Sequence, residues 1–177
     1  MLRLMLLRHA KSSWTDPGTD DRDRPLNARG QRAAPVIGRH MAREKLIPDL
    51  ALVSPARRAR DTWKLASAAL KAAPKTLIED QLYDFGNGGR ILDLVRSKAG
   101  TATTIIIVGH NPSLERLALR LIGKGEDKLR KRIADKYPTG ALAVIDFDTQ
   151  GWKDIEDGMG TLTAFVRPRD LVKDGET

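Results

Sequence analysis

Three short apolar runs in this chain each stop at a polar cluster, and that repetition constrains the fold more than any other feature. Residues 2–7 lead into Arg8, His9, Lys11, Ser12 and Ser13. Residues 50–53 lead into Ser54, Pro55, Arg57 and Arg58, and residues 103–108 into Gly109, His110, Asn111 and Pro112. Each run is too short for an ordinary helix, and the third is β-branched throughout, so each predicts a buried strand that delivers a polar site at its end.

The segments between the runs read as helices. Asn27 is placed to cap a helix running to about residue 45, with Ala33, Ile37 and Met41 on one face and Pro35 predicting a kink or a late start. Residues 56–70 carry Ala59, Trp63, Ala66 and Leu70 as an amphipathic stripe. A short strand at Leu77 and Ile78, a glycine-rich loop at 83–89 and a helix at 91–96 follow. After the third run, Ser113 is a candidate cap for a helix whose Leu114, Leu117, Ala118 and Leu121 face the core before Gly123 ends it. Residues 141–147 and 161–166 read as two further strands, with Gly151 and Trp152 in a hairpin-like region between them.

Alternating strands and helices predict an α/β fold, a three-layer α/β/α sandwich around a mostly parallel sheet, with an antiparallel strand near its C-terminal end. Sites in such sheets form beyond the carboxyl ends of the strands. Topology therefore gathers Arg8, His9, Ser54, Arg58 and His110 on one rim.

At 177 residues and 41% hydrophobic, the chain predicts a single domain over 1–177 with one substantial core. The apolar runs are about half a membrane span, and the first is broken by Arg3 and ends in basic residues, so neither a signal peptide nor a transmembrane helix is expected. The chain has no cysteine, which excludes disulfides, thiolate catalysis and sulfur-ligated zinc, and the expected location is the cytoplasm. The formal charge of +8 suits nucleic acid or a phosphorylated substrate equally. Acidic residues are interspersed with the basic ones in segments such as 123–136, however, which reads as a solvated helical face and makes nucleic acid the weaker partner.

Two histidines and two arginines on one rim suit phosphoryl chemistry. Guanidinium groups match phosphate oxygens in pairs and stay charged. A neutral imidazole can attack phosphorus and form a phosphohistidine, and a second, protonated imidazole would stabilise the equatorial charge. On these residues the chain resembles the histidine phosphatase superfamily, which includes the cofactor-dependent phosphoglycerate mutases, and within it the SixA-type phosphohistidine phosphatases. Arg8, His9 and Ala10 are similar to the opening signature, in which a small residue, usually Gly, follows Arg-His. Arg24, Pro25, Leu26 and Gly30 resemble the entry to the first helix. Ser54, Pro55, Arg58, Ala59 and Thr62 resemble the second signature, and Gly109 with His110 the third.

The resemblance implies that His9 is phosphorylated, that Arg8, Arg58 and His110 surround the phosphoryl group, and that no metal or other cofactor takes part. His40, the third histidine, reads as part of a solvated helix face. Many relatives use a carboxylate to protonate the leaving oxygen, whereas the SixA-type branch characteristically lacks it. Glu79, Asp80 and Asp84 lie in the corresponding stretch, and Asp84 is the best candidate acid, against the bland reading of a solvated loop residue. A missing acid favours N–P over O–P cleavage, because a phosphohistidine departs as neutral imidazole. Lys11 and Ser12 are candidate substrate-binding residues or simply solvated loop, and Trp14 is a packing anchor or a substrate wall. Asp21 and Asp23 are weaker candidates to orient Arg8 or to meet a partner's basic surface. The expected partner is a phosphorylated protein carrying phosphohistidine, with a small phosphomonoester as the alternative and a non-catalytic phosphate- or nucleic-acid-binding protein as the rival of a different class.

Overall fold

The computed structural model describes residues 1–172. Within them the strands are β1 (Leu2–Arg8), β2 (Leu50–Val53), β3 (Lys75–Ile78), β4 (Thr104–Gly109), β5 (Ile122–Gly125), β6 (Leu142–Phe147) and β7 (Gly160–Val166). The helices are α1 (Ala28–Arg43), α2 (Arg57–Ser67), α3 (Gly89–Lys98), α4 (Ser113–Leu121), α5 (Asp127–Asp135) and α6 (Pro168–Leu171). All seven strands form one sheet in the order β3-β2-β4-β1-β6-β7-β5. Pairing is parallel from β3 through β1 and between β7 and β5, whereas β6 runs antiparallel to both β1 and β7. The fold is therefore α/β with a mostly parallel sheet, and β6 is its single reversed strand.

From Leu4 to Leu7 β1 is continuously apolar because it is covered on both faces. Met5 and Leu7 pack with Ile37 and Met41 of α1 and Ala59, Trp63 and Ala66 of α2. Leu4 and Leu6 pack on the opposite side with Leu94 and Val95 of α3 and Leu114, Leu117 and Ala118 of α4. A strand covered on both faces has no position for a polar side chain, and each fully buried Leu or Met contributes about 1.5–3 kcal/mol. Polarity resumes at Arg8, where the strand leaves the core.

Helix α1 starts as expected, with the Asn27 side chain accepting from the Gly30 N–H at 2.9 Å. Pro35 neither delays that start nor ends the helix; the Gln31 carbonyl it leaves unpaired belongs to an exposed residue within reach of water. Gly30 is where α1 meets the loop after β1, since a Cβ there would fall 2.1 Å from the Lys11 carbonyl oxygen. A side chain at this position would push the helix away from the residues that follow His9.

Two expectations about α4 are corrected. Ser113 is its first residue and not a cap: its single hydroxyl proton is shared between the Asp84 and His110 carbonyls, at 2.8 and 2.9 Å, holding the glycine-rich loop against the end of β4. Beyond Leu121 the chain does not enter a solvated helical face directly but first runs extended as β5 on the sheet edge. Gly123 belongs to that strand, where a Cβ would lie 1.8 Å from the Gly158 carbonyl oxygen. Trp152 lies in a short 3-10 turn between β6 and β7, buried, with its indole N–H on the Ala102 carbonyl at 2.6 Å.

Candidate active site

The carboxyl ends of β1, β2 and β4 meet side by side. The His9 N–H donates to the Gly109 carbonyl and the Ser54 N–H to the Val108 carbonyl, so the three polar clusters follow one another across the rim. α2 carries Arg58 in its first turn, and Thr62, one turn on, ties it to the β1 loop by accepting from the Ala10 N–H at 2.9 Å and donating to the Arg58 carbonyl at 2.6 Å. His9, Arg58 and His110 are 6%, 2% and 1% exposed, and the two imidazole centroids lie 5.2 Å apart with their planes tilted by 53°.

Hydrogen bonds set the proton positions. His9 Nδ1 lies 2.7 Å from the Ala10 carbonyl oxygen, which can only accept, so Nδ1 carries the proton and Nε2 keeps its lone pair. His110 Nδ1 faces the Arg58 guanidinium at 3.4 Å, which can only donate, so the proton sits on Nε2 and is given to Ser54 Oγ at 2.7 Å. Burial, reinforced by the charges of Arg58, Arg8 and Arg24 and opposed by the Ala10 carbonyl, pushes His9 down to about 3. Burial together with His9, Arg58 and Arg8 pushes His110 to about 3 against the opposing pull of Asp21. The second imidazole, expected to be protonated, is thus neutral until an anion arrives to offset the surrounding positive charge.

These shifts predict an acid-side loss of stability. Both folded-state values lie below the usual imidazole 6.5, so the stability contributed by two neutral histidines is complete above that value and is lost as pH falls toward about 3. Melting temperature should fall across this window, and His110→Gln, which removes one titrating group, should flatten the fall. An unchanged slope in the variant would show that His110 does not titrate in this way.

The guanidinium groups frame the histidines. Arg8 donates through one terminal nitrogen to the Tyr137 carbonyl at 2.8 Å, and Asn111 donates to the same oxygen at 3.0 Å. Tyr137 is fully buried, with its hydroxyl on the Leu6 carbonyl at 2.5 Å. The Nε atoms of Arg8 and Arg58 are buried without a hydrogen-bond partner among the described residues. A buried donor left unmatched costs about 1–3 kcal/mol, which an anion bound between them would offset.

Asp21 was expected, if anything, to orient Arg8; it holds Arg58 instead. Arg58 donates from both terminal nitrogens, to the Asp21 carbonyl at 2.5 Å and to its carboxylate at 3.0 Å. The carboxylate also accepts from Arg24 at 3.0 Å and from the Tyr83 hydroxyl. Burial alone would raise this carboxyl group, but the Tyr83, Arg58 and Arg24 donors hold it down to about 2. It is therefore ionised and is no proton donor.

Asp84 turns its carboxylate to the Gly86 N–H of its own loop, and Glu79 pairs with Lys98 at 3.3 Å. Ser12 is buried and accepts from Arg24 at 2.7 Å, while Lys11 is exposed and lines a neighbouring cavity. Trp14 is 70% exposed with the Arg24 guanidinium 3.5 Å over its ring, so it packs on an arginine and not on the core. His40 lies half-buried on α1 beside Arg43, away from the strand ends. Two side chains escaped the sequence reading: Tyr83 stands edge-on to His110 at 5.5 Å and Phe85 lies 5.1 Å from it, forming an aromatic wall. The available signal was two aromatics, two residues apart, at the start of the glycine-rich loop. Among the described residues no cluster of three or more His, Asp or Glu side chains is placed to hold a metal ion, and no helix is long and apolar enough to cross a membrane.

The family model of the histidine phosphatase superfamily (branch 1) matches residues 4–89. The chain is 34% identical over 165 residues to the uncharacterized protein Rv1276c of Mycobacterium tuberculosis, covering 92% of this chain and all of that one. Among solved structures it is similar to a protein assigned as phosphohistidine phosphatase SixA from Agrobacterium tumefaciens, at 32% identity and a TM-score of 0.79, covering 94% of this chain and 98% of that one. It shares its fold with the alpha-ribazole phosphatase from Shigella flexneri, at 20% identity and a TM-score of 0.62 over 94% of this chain and 97% of that one.

Proposed function

This chain belongs to the histidine phosphatase superfamily, is SixA-like in sequence and fold and is a phosphatase, and we propose that it hydrolyses protein phosphohistidine through His9. The observation that carries the substrate class is the state of the carboxylates. Among the described residues, Asp21 is saturated by three donors and ionised, Asp84 is tied into its own turn, and Glu115 accepts from Asn111 at 3.3 Å. An alkoxide leaving group needs a proton that this site does not offer; an imidazole protonated on its distal nitrogen leaves without one.

In the first step the lone pair on His9 Nε2 attacks phosphorus in line with the leaving group. The new N–P bond forms as the bond to the substrate nitrogen breaks, and the electron pair leaves with the substrate imidazole. The Ala10 carbonyl holds the His9 Nδ1 proton and stabilises the charge that develops on the ring. Arg8, Arg58 and His110 take the equatorial oxygens, His110 through its Nδ1 once the phosphoryl charge has protonated it. In the second step a water oxygen attacks phosphorus, the bond to His9 breaks, and inorganic phosphate leaves.

The test is a panel of a phosphohistidine peptide, a phosphoserine peptide and an aryl phosphate on purified protein. Phosphohistidine should lead phosphoserine in kcat/KM by at least about 10²-fold, the scale of general acid catalysis that an ester forgoes here. Aryl phosphate, whose leaving group needs little protonation, should fall between them. Equal or better use of phosphoserine would overturn the assignment.

A further inference from the structure

The single reversed strand brings a second set of residues to the catalytic rim. Leu7 of β1 pairs with Leu142 at the start of β6, and Leu142 pairs with Val166 at the end of β7. Residues 136–140 before β6 and 167–169 after β7 therefore lie on the same edge of the sheet as His9. The Gly140 N–H, donating to the Arg8 and His9 carbonyls at 3.1 and 3.0 Å, fixes the first of these segments against the nucleophile strand.

Between these segments and the N-terminal turn of α1 lies a cavity of about 120 Å³. Lys11, Arg29, Lys136, Arg167 and Arg169 line it together with Thr139, and no carboxylate does. Arg167 is matched by Asp170 at 2.7 Å, but among the described residues Lys11, Arg29, Lys136 and Arg169 have no acidic side chain within ion-pair distance. Like charges gathered without counter-charge repel one another, and the same arrangement raises the local concentration of anions. The cavity has room for a carboxylate or phosphate group. Its lining holds no aromatic side chain on which a base would stack. Lys11 joins this cavity to the phosphoryl site, two residues beyond His9, and its backbone is clamped by the Asn27 N–H at 3.0 Å.

We infer that this cavity is a subsite for a second anionic group of the substrate, an Asp or Glu side chain that lies near the phosphohistidine on the phosphoprotein surface. The inference rests on the phosphohistidine reading for the identity of the carrier. A protein substrate presents acidic side chains at such distances, and a rim of cations with a hydroxyl would read them without sequence-specific packing.

The test compares wild type with Arg29→Glu/Lys136→Glu, both exposed residues outside the phosphoryl site, on two phosphohistidine peptides differing only in flanking Glu or Gln. Wild type should favour the acidic peptide by about tenfold in kcat/KM, through KM, and the variant should lose or invert that preference. Aryl phosphate turnover within about twofold of wild type shows that the variant is folded and its chemistry intact. No acidic preference in wild type, or one that survives charge reversal, overturns the subsite. So does a preference abolished by inorganic phosphate that leaves aryl phosphate turnover alone, which would give the cavity to a free ion. Tighter binding of a uridine oligonucleotide than of the acidic peptide, released by the same substitutions, would overturn it in favour of nucleic acid. If only phosphoserine peptides turn over, the phosphohistidine reading fails by itself, and the same Glu/Gln comparison on phosphoserine peptides decides the subsite.

Discussion

His9→Ala should lower turnover by about 10⁴-fold or more and abolish the acid-labile phosphoryl label that substrate leaves on the enzyme. The imidazole supplies the only unprotonated ring nitrogen in the cluster that is not already facing a guanidinium donor. His9 Nδ1 is committed to the Ala10 carbonyl, and His110 Nδ1 to Arg58. Truncation also leaves the Ala10 carbonyl without its donor, a local loss that a melting curve detects separately from the rate. The decisive measurement is single-turnover labelling with an aryl phosphate, followed by acid and alkaline stability of the label. A label retained in the variant would move the nucleophile elsewhere, and His110 would be the residue to examine.

Arg58→Ala should cost about 10³-fold in kcat, the scale of removing a preorganised donor from phosphoryl transfer. Arg58→Lys should recover less than about tenfold of that loss, because an ammonium keeps the charge but cannot span two oxygens in one plane. The substitution also strips the Asp21 carboxylate of one of its three donors and of the adjacent positive charge, so its carboxyl should rise from about 2 toward the ordinary range. Folding loss and chemical loss separate in the double variant Asp21→Asn/Arg58→Ala. Asp21→Asn, which removes the charge that Arg58 no longer offsets, should recover part of the melting temperature but none of the rate. Full recovery of rate in the double variant would mean that Arg58 serves only to neutralise Asp21.

What the sequence discloses and what it hides follow from the range of the forces involved. The strands ending at Arg8, Ser54 and Gly109 are legible because burial on both faces admits only apolar residues, and polarity returns where the strand leaves the core. β5 is hidden because Ile122-Gly123-Lys124-Gly125 has no pattern of its own; its extension is imposed by pairing with β7. Ser113 has the chemistry of a cap, yet its hydroxyl is taken by a carbonyl 29 residues away in the chain. The Asp21 network joins Arg58 and Tyr83 across 37 and 62 residues, and no periodicity reports on contacts of that kind. For the same reason the sequence places Asp84 in the expected stretch of chain but does not disclose that its carboxylate accepts from the Gly86 N–H.

The central place of β1 also bears on when the chemistry becomes available during folding. The strand that bears His9 is made well before both of its neighbours, β4 and β6, and the Arg3–Asp146 ion pair that locks its outer end spans 143 residues. Such long-range closure is slow and cannot precede synthesis of the far partner. A nascent chain released only as far as α4 would hold His9 on a strand with one open side, without the Tyr137 carbonyl that seats Arg8. The rim that gathers Arg8, His9 and His110 is thus complete only once β6 has been synthesised, an order that follows from the strand order of the sheet.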